Sequence, residues 1–240
     1  MTYPDIPAAL DRRVRPPAAG KPLVYTFSNL KNYRTCPEQF AQRYVHKSLP
    51  FVESDAMKRG NAVHAALEAR LGAGKPLPDD MAVWERWAAP FDGRKVHVEQ
   101  RLAITASGAA CDFWDAAAWL RGKLDLWMAS DYHAFLLDWK YKEDLSKIGQ
   151  YEDPFELEIG ALLLSCNEGQ RRKVIGHYCY ETGLSQPYDL SDVKGTLLKV
   201  REIAKDIERD LAAQEWEKKR SGLCKAWCDV LTCEHNGKRT

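Results

Sequence analysis

The stretch from Trp119 to Tyr141 constrains the fold more than any other. Trp119-Leu120-Arg121-Gly122-Lys123-Leu124-Asp125-Leu126-Trp127 and Ala134-Phe135-Leu136-Leu137-Asp138-Trp139-Lys140-Tyr141 are dense in aliphatic and aromatic residues, and a polar, turn-like break separates them. Two such runs predict a β-hairpin. Strand side chains alternate between faces, so Leu136, Asp138 and Lys140 share one face while Phe135, Leu137 and Trp139 take the other. Asp125, on the neighbouring strand, can lie close to Asp138. Two adjacent carboxylates repel unless a cation or a proton sits between them. A divalent metal meets that need, and Lys140 is placed to position or deprotonate a bound water. A buried Asp–Lys ion pair beside an unrelated strand acid is the other reading the hairpin leaves open.

The 240 residues, 45% hydrophobic with eight tryptophans, suffice for one large domain or two small ones. A net charge of +1 gives no overall cationic field, so any nucleic-acid surface must be local. Residues 1–24, rich in proline with Arg12, Arg13 and Arg15, read as an extended N-terminal arm. No stretch has the length of a membrane span, and there is no secretory h-region. Seven cysteines is an odd count that speaks against a disulfide framework. The expectation is a cytoplasmic protein with no membrane contact.

Helical periodicity predicts elements over 29–34 after a Ser28 cap, over 38–45, and from Asp55 to about Leu71, where Met57, Val63, Leu67 and Leu71 form the buried stripe. A short helix follows with Trp84 and Trp87, then a strand from Lys95 to Thr105 and a loop over 107–115. After the hairpin come a charged loop over 142–153, a helix from Pro154 to about Asn167, a strand from Lys173 to Tyr180 and a long helix from Ser191 to about Lys218. This order predicts an α/β fold, a central mixed sheet flanked by helices on both faces, with more helix than strand. The predicted core is Leu124, Leu126, Phe135, Leu137, Ile159, Leu162, Leu163 and Ile175, with the apolar stripe of the long helix.

Cys224, Cys228 and Cys233 cluster after that helix, and Cys36 lies far upstream in a Cys-Pro step. Four thiolates can hold a 4Fe-4S cluster or zinc, and free thiols are the plain alternative. Cys111, Cys166 and Cys179 read as ordinary buried cysteines.

Gly60-x-x-x-His64, Glu99 on a strand, Gly122-Lys123-Leu124-Asp125, Asp138-Trp139-Lys140 and a helix opening near Pro154, in this order, resemble the RecB-like branch of the PD-(D/E)XK nuclease superfamily. The resemblance spans about Thr26 to Cys233. It implies a restriction-endonuclease-like fold, a single nuclease domain over 25–240, and Mg2+- or Mn2+-dependent hydrolysis of DNA phosphodiesters. His64, Asp125 and Asp138 then look like metal ligands, Lys140 like the catalytic lysine and Glu99 like the acid of the preceding strand. Where relatives place a glutamine and, four residues on, a tyrosine, this chain has Glu156 and Gly160. Glu156 still offers a carboxylate to the metal or its water. The cysteine arrangement resembles the iron-sulfur nucleases of the same branch, including CRISPR-adaptation and AddB-type nucleases, which implies a 4Fe-4S cluster on Cys36, Cys224, Cys228 and Cys233. The implied substrate is DNA with a free end or single-stranded portion, contacted by groups such as Lys142, Arg34 and Tyr33. The implied setting is repair, recombination or phage and mobile-element DNA processing, as a homo-oligomer or with a repair partner. A catalytically weakened DNA-binding or assembly subunit is the second reading.

Overall fold

The computed structural model describes residues 23–49, 52–142 and 153–238. The helices are α1 (Phe27–Thr35), α2 (Pro37–Phe40), α3 (Asp55–Ala73), α4 (Glu85–Ala88), α5 (Phe155–Glu168) and α6 (Val193–Ala213), and the strands are β1 (His97–Ile104), β2 (Ala110–Cys111), β3 (Leu120–Ala129), β4 (His133–Lys140), β5 (Lys173–Tyr180) and β6 (Ser185–Asp189). The chain divides into two compact units, one of residues 53–196 and one of residues up to 52 together with those from 197 onward.

The first unit carries a six-stranded sheet of order β2-β1-β3-β4-β5-β6. Only β4 and β5 run parallel, from His133↔Lys173 to Lys140↔Tyr180, and α5 lies on the crossover between them. The β3–β4 hairpin pairs Leu126 with Leu137 and Trp127 with Leu136, and one further step of that register sets Asp125 beside Asp138. Leu137 and Trp139 pack with Val63 and Leu67 of α3, Leu126, Met81 and Trp84. Leu136 instead meets α5, where a Cβ on Gly160 would come 3.0 Å from its Cδ2. Neighbouring residues of one strand point to opposite faces, so α3 and α5 cover opposite faces of the sheet. This is the α/β architecture expected of a restriction-endonuclease-like chain.

Glycine sets how closely α5 approaches. A Cβ at Gly122 would lie 2.9 Å from Leu163, and one at Gly176 2.5 Å from Leu190 and 3.2 Å from Leu157. Gly160 is therefore a packing residue. At the position where relatives carry a tyrosine, this chain has sheet leucines against the helix backbone.

Several sequence expectations need correction. Phe135 is 41% exposed, because the α3-side cluster that takes Leu137 and Trp139 stops short of the hairpin turn. Met57, 43% exposed, sits in the first turn of α3 and outside the buried stripe of Val63 and Leu67. The loop over 107–115 contains β2, and β6 follows β5 as an antiparallel edge. Leu124, Leu126, Ile159, Leu162 and Leu163 are buried as expected, and Ile175 is half-buried.

In the second unit, Thr26 rather than Ser28 caps α1, its hydroxyl accepting from Asn29 N–H while the Asn29 side chain accepts from Thr26 N–H. The helical run over 38–45 divides into α2 and a π-helical turn, Ala41–Val45. Tyr25 donates to Ala204 carbonyl and Glu208, and Tyr33 donates to Asp210 at 2.5 Å, tying the two sequence-distant halves together. Leu30, Phe40, Val200 and Ile207 are fully buried. The helix foreseen to Lys218 ends at Ala213. Most of the N-terminal arm, residues 1–22, lies outside the described residues, as do Lys147, Gln150 and Tyr151. No helix among the described residues is long and apolar enough to cross a membrane.

Candidate metal and catalytic site

The first unit brings His64, Glu99 and Asp125 together from α3, β1 and β3. Their ligand atoms all lie within 4.8 Å of one another. His64 Nδ1 is 3.1 Å from Glu99 Oε1 and 3.3 Å from Asp125 Oδ1, and its Nε2 faces the Trp139 carbonyl at 3.1 Å. Asp125 Oδ2 accepts from the Trp139 N–H at 2.8 Å, so the two peptide groups flanking Trp139 orient the acid and the imidazole. Gly60, one turn before His64, faces Tyr141, with 4.0 Å from a built Cβ to the tyrosine Cβ.

Glu99 reaches the site by an unusual backbone. Its φ is 52°, in the left-handed region that non-glycine residues rarely adopt. The β1–β3 ladder steps from Val98↔Leu126 to Gln100↔Leu124 without a Glu99–Asp125 pair. Such a conformation costs of order 1–3 kcal/mol and persists where the surroundings impose it. Here the His64 and Lys123 contacts hold the carboxylate in place.

Electrostatics follow from burial and from these pairs. Burial opposes charge on His64, but hydrogen bonds to Asp125 and Glu99 outweigh it and raise its pKa to about 10. Burial likewise disfavours the Glu99 anion, yet bonds from His64 and Lys123 leave its pKa lowered. Asp138 is raised to about 6, mainly by burial, and the nearby Asp125 charge adds to this against the pull of Lys140.

Lys140 Nζ stands 2.7 Å from both Asp138 Oδ2 and Glu156 Oε2. It donates to Glu156, whereas its approach to Asp138 is ionic contact without hydrogen-bond alignment. The ring of Tyr178 lies 5.0 Å below the ammonium. Burial works against this ammonium, and the two carboxylates more than offset it, so Lys140 stays protonated.

Four carboxylates, those of Glu99, Asp125, Asp138 and Glu156, thus face Lys123, Lys140 and a protonated His64. Two carboxylates and the imidazole Nδ1 fit a divalent cation that favours oxygen with one nitrogen, as Mg2+ and Mn2+ do, and the Trp139 carbonyl on Nε2 would fix the tautomer that leaves Nδ1 free. Asp138, expected as a ligand, stands beside this group with its carboxylate turned to Lys140. Lys123, the Trp139 peptide and Tyr178 carried no role in the sequence. Lys123 had a visible signal, lying between Gly122 and Asp125 in the motif.

In the second unit Cys36, Cys224, Cys228 and Cys233 line one pocket with Gln39, Ser221 and Asn236. Ser221 N–H donates to Cys224 Sγ at 3.4 Å, and Gln39 Nε2 is 4.0 Å from Cys228 Sγ. Burial pushes the Cys228 thiol up, and Cys224, Cys36 and Cys233 add to the shift. Asn236 donates to the Cys228 and Val230 carbonyls and shapes the loop. Arg34 is exposed in the same unit. Tyr33 is buried, its hydroxyl on Asp210 and its ring edge-on to Phe40 at 5.4 Å, so it has no free face for a base. Lys142 is half-buried, two residues after Lys140.

No curated protein matches the chain. Among solved structures, a protein of Eubacterium rectale provisionally named an exonuclease is 13% identical, with a TM-score of 0.51 over 85% of this chain and 86% of that one. The protein SSO0001 is also 13% identical, with a TM-score of 0.45 over 89% and 86%. The first likeness is one of fold. A family model of the PD-(D/E)XK nuclease superfamily matches residues 25–234. By that match, over nearly all of its length and including every residue of the site just described, the chain belongs to the PD-(D/E)XK nuclease superfamily, whose members are metal-dependent phosphodiester hydrolases.

Proposed function

We propose that this chain is a Mg2+- or Mn2+-dependent deoxyribonuclease of the RecB-like branch, acting on DNA with a free end or single-stranded portion in repair, recombination or phage DNA processing. The observation that carries the reading is the convergence of His64, Glu99 and Asp125 within 4.8 Å, next to a lysine held between Asp138 and Glu156. A divalent ion held by His64, Glu99 and Asp125 would activate water and neutralise charge on the phosphate. Lys140, kept cationic by its two carboxylates, serves as an electrostatic clamp on the phosphate oxygens. That charge state removes it as the base. Asp138, raised to about 6, is suited to take a proton from the attacking water near neutral pH. Glu156 orients Lys140.

The second reading, a weakened binding subunit, draws its support from Glu156 and Gly160, the two places where the chain departs from the family pattern. Glu156 is bonded to Lys140, and Gly160 makes room for Leu136; both contacts give these residues a use in the site and the packing, which favours the nuclease reading. Incubating end-labelled single- and double-stranded DNA with Mg2+, Mn2+ or EDTA tests the proposal. Metal-dependent cleavage by the wild type that disappears in Asp125→Asn supports it. Cleavage that survives EDTA, or that Asp125→Asn leaves intact, overturns it.

The same proposal includes a 4Fe-4S cluster on Cys36, Cys224, Cys228 and Cys233, and one nuclease domain over 25–240. The shared pocket and the mutual effect on Cys228 support the cluster. Anaerobically purified protein with broad violet absorbance, lost in Cys228→Ser, is the expected result; colourless protein with stoichiometric zinc rejects iron-sulfur.

A further inference from the structure

Past Glu99 and Asp125 the β1–β3 register continues as Arg101 opposite Lys123 and Ala103 opposite Arg121. Alternation puts Arg101, Lys123, Ala103 and Arg121 on one face, and the Lys123–Glu99 ion pair places that face on the side of the Glu99 carboxylate. Arg101 and Lys123 are both exposed. Like charges directly opposite each other on a sheet are destabilising without an anion between them, and among the described residues the anion here is Glu99, paired with Lys123.

Beyond Arg121 the loop after β2 folds back onto the stripe. Phe113 and Trp114 pack edge to face, with centroids 4.8 Å apart. The Arg121 guanidinium lies 5.1 Å over Phe113 and 4.8 Å over Trp114, and Arg101 lies 6.0 Å over Phe113. Yet Trp114 remains 74% exposed. A large indole pinned by an arginine and left open to water is out of place in a core, and it offers a flat apolar face at the end of a cationic line. Of the acids in the same loop, Asp115 is turned to the Ala117 N–H at 2.7 Å.

We infer that this stripe is a track for a single-stranded DNA segment, with Lys123, Arg101 and Arg121 holding phosphates and Trp114 stacking an unpaired base. The inference rests on the nuclease reading and adds to it the residues that select the strand. Arg121 lies four strand steps from Asp125, about 13 Å, which is room for roughly four nucleotides at the ~3.4 Å spacing of a stacked strand. Stacking on an indole is tolerant of base identity but needs an exposed base face, which paired duplex lacks. The track therefore selects frayed ends and single strands without reading sequence.

Fluorescence anisotropy of a 5′-labelled oligothymidylate with the full chain, in EDTA and in Ca2+, separates binding from cleavage. Trp114→Ala and Arg121→Ala should each weaken single-strand binding about tenfold, Trp114→Phe should keep most of it, and blunt duplex binding should change little. The KM for single-stranded substrate should rise in parallel. Variants that bind the single strand as the wild type does, or a wild type that binds none, overturn the track. Trp114-dependent binding without any metal-dependent cleavage would keep the track and sink the nuclease reading; normal cleavage with Trp114-independent binding does the reverse.

Discussion

At the scale of single residues the site is held by charge pairs that a cation must rearrange. His64 carries a proton at neutral pH because Asp125 and Glu99 hold it there, and its pKa of about 10 means that proton must leave before the imidazole can ligate. Mn2+ binding at pH 8 is thus expected to release about one proton, seen by calorimetry as heats that differ between Tris and HEPES. Affinity should rise with pH from 6.5 to 8.5 as that proton becomes easier to lose. Heats independent of buffer would refute the assignment of His64. For turnover, Lys140→Ala should lower kcat by about 10²–10³-fold, the usual cost of removing one preorganised cation or donor from a phosphoryl site. Rate should also fall below about pH 6, where Asp138 becomes protonated and loses its role as base. A flat pH–rate profile from 5 to 8 would exclude that role.

At the scale of elements, the strain at Glu99 and the glycines under α5 make opposite demands. Glu99→Gly relieves the left-handed backbone, so it should be more stable than Glu99→Ala by about 1 kcal/mol while both lose metal. Paired urea melts would show this as a difference in midpoint. Gly160→Tyr is expected to cost about 1–3 kcal/mol, because its Cβ would start 3.0 Å from Leu136 Cδ2. The hairpin was legible in the sequence because dense apolar strands around a polar break have few alternatives. Glu99 was legible as an acid on a strand, but nothing in a lone glutamate announces a positive φ. Gly160 read as an absent side chain because the sequence does not show what presses on it. β6 escaped notice because Ser185, Gln186 and Pro187 lack strand propensity, and its pairing with β5 is tertiary.

At the scale of the whole molecule, each compact unit carries its own cluster of chemistry, the carboxylates in residues 53–196 and the thiols in the other. The order of motifs was readable along the chain, whereas a unit assembled from two distant segments leaves no local trace in composition. If the cysteines hold a cluster, its binding energy becomes folding energy for the unit that contains them. Cys228→Ser should then make residues 23–52 and 197–238 the first sites of limited proteolysis while Mn2+ binding through His64 persists. Uniform digestion across both units would argue against that local role.

The chain leaves the thiol-bearing unit at Val52 and re-enters it at Leu197, and contacts such as Tyr33–Asp210 join residues 177 positions apart. Synthesis proceeds from the N-terminus and units fold as they are completed. The carboxylate unit can therefore assemble while α1 and α2 still await their partners in α6. If the cysteines hold a cluster, its loading has to wait for Cys224, Cys228 and Cys233, and a chain cut before Leu197 is expected to form the sheet while leaving α1 without its partners.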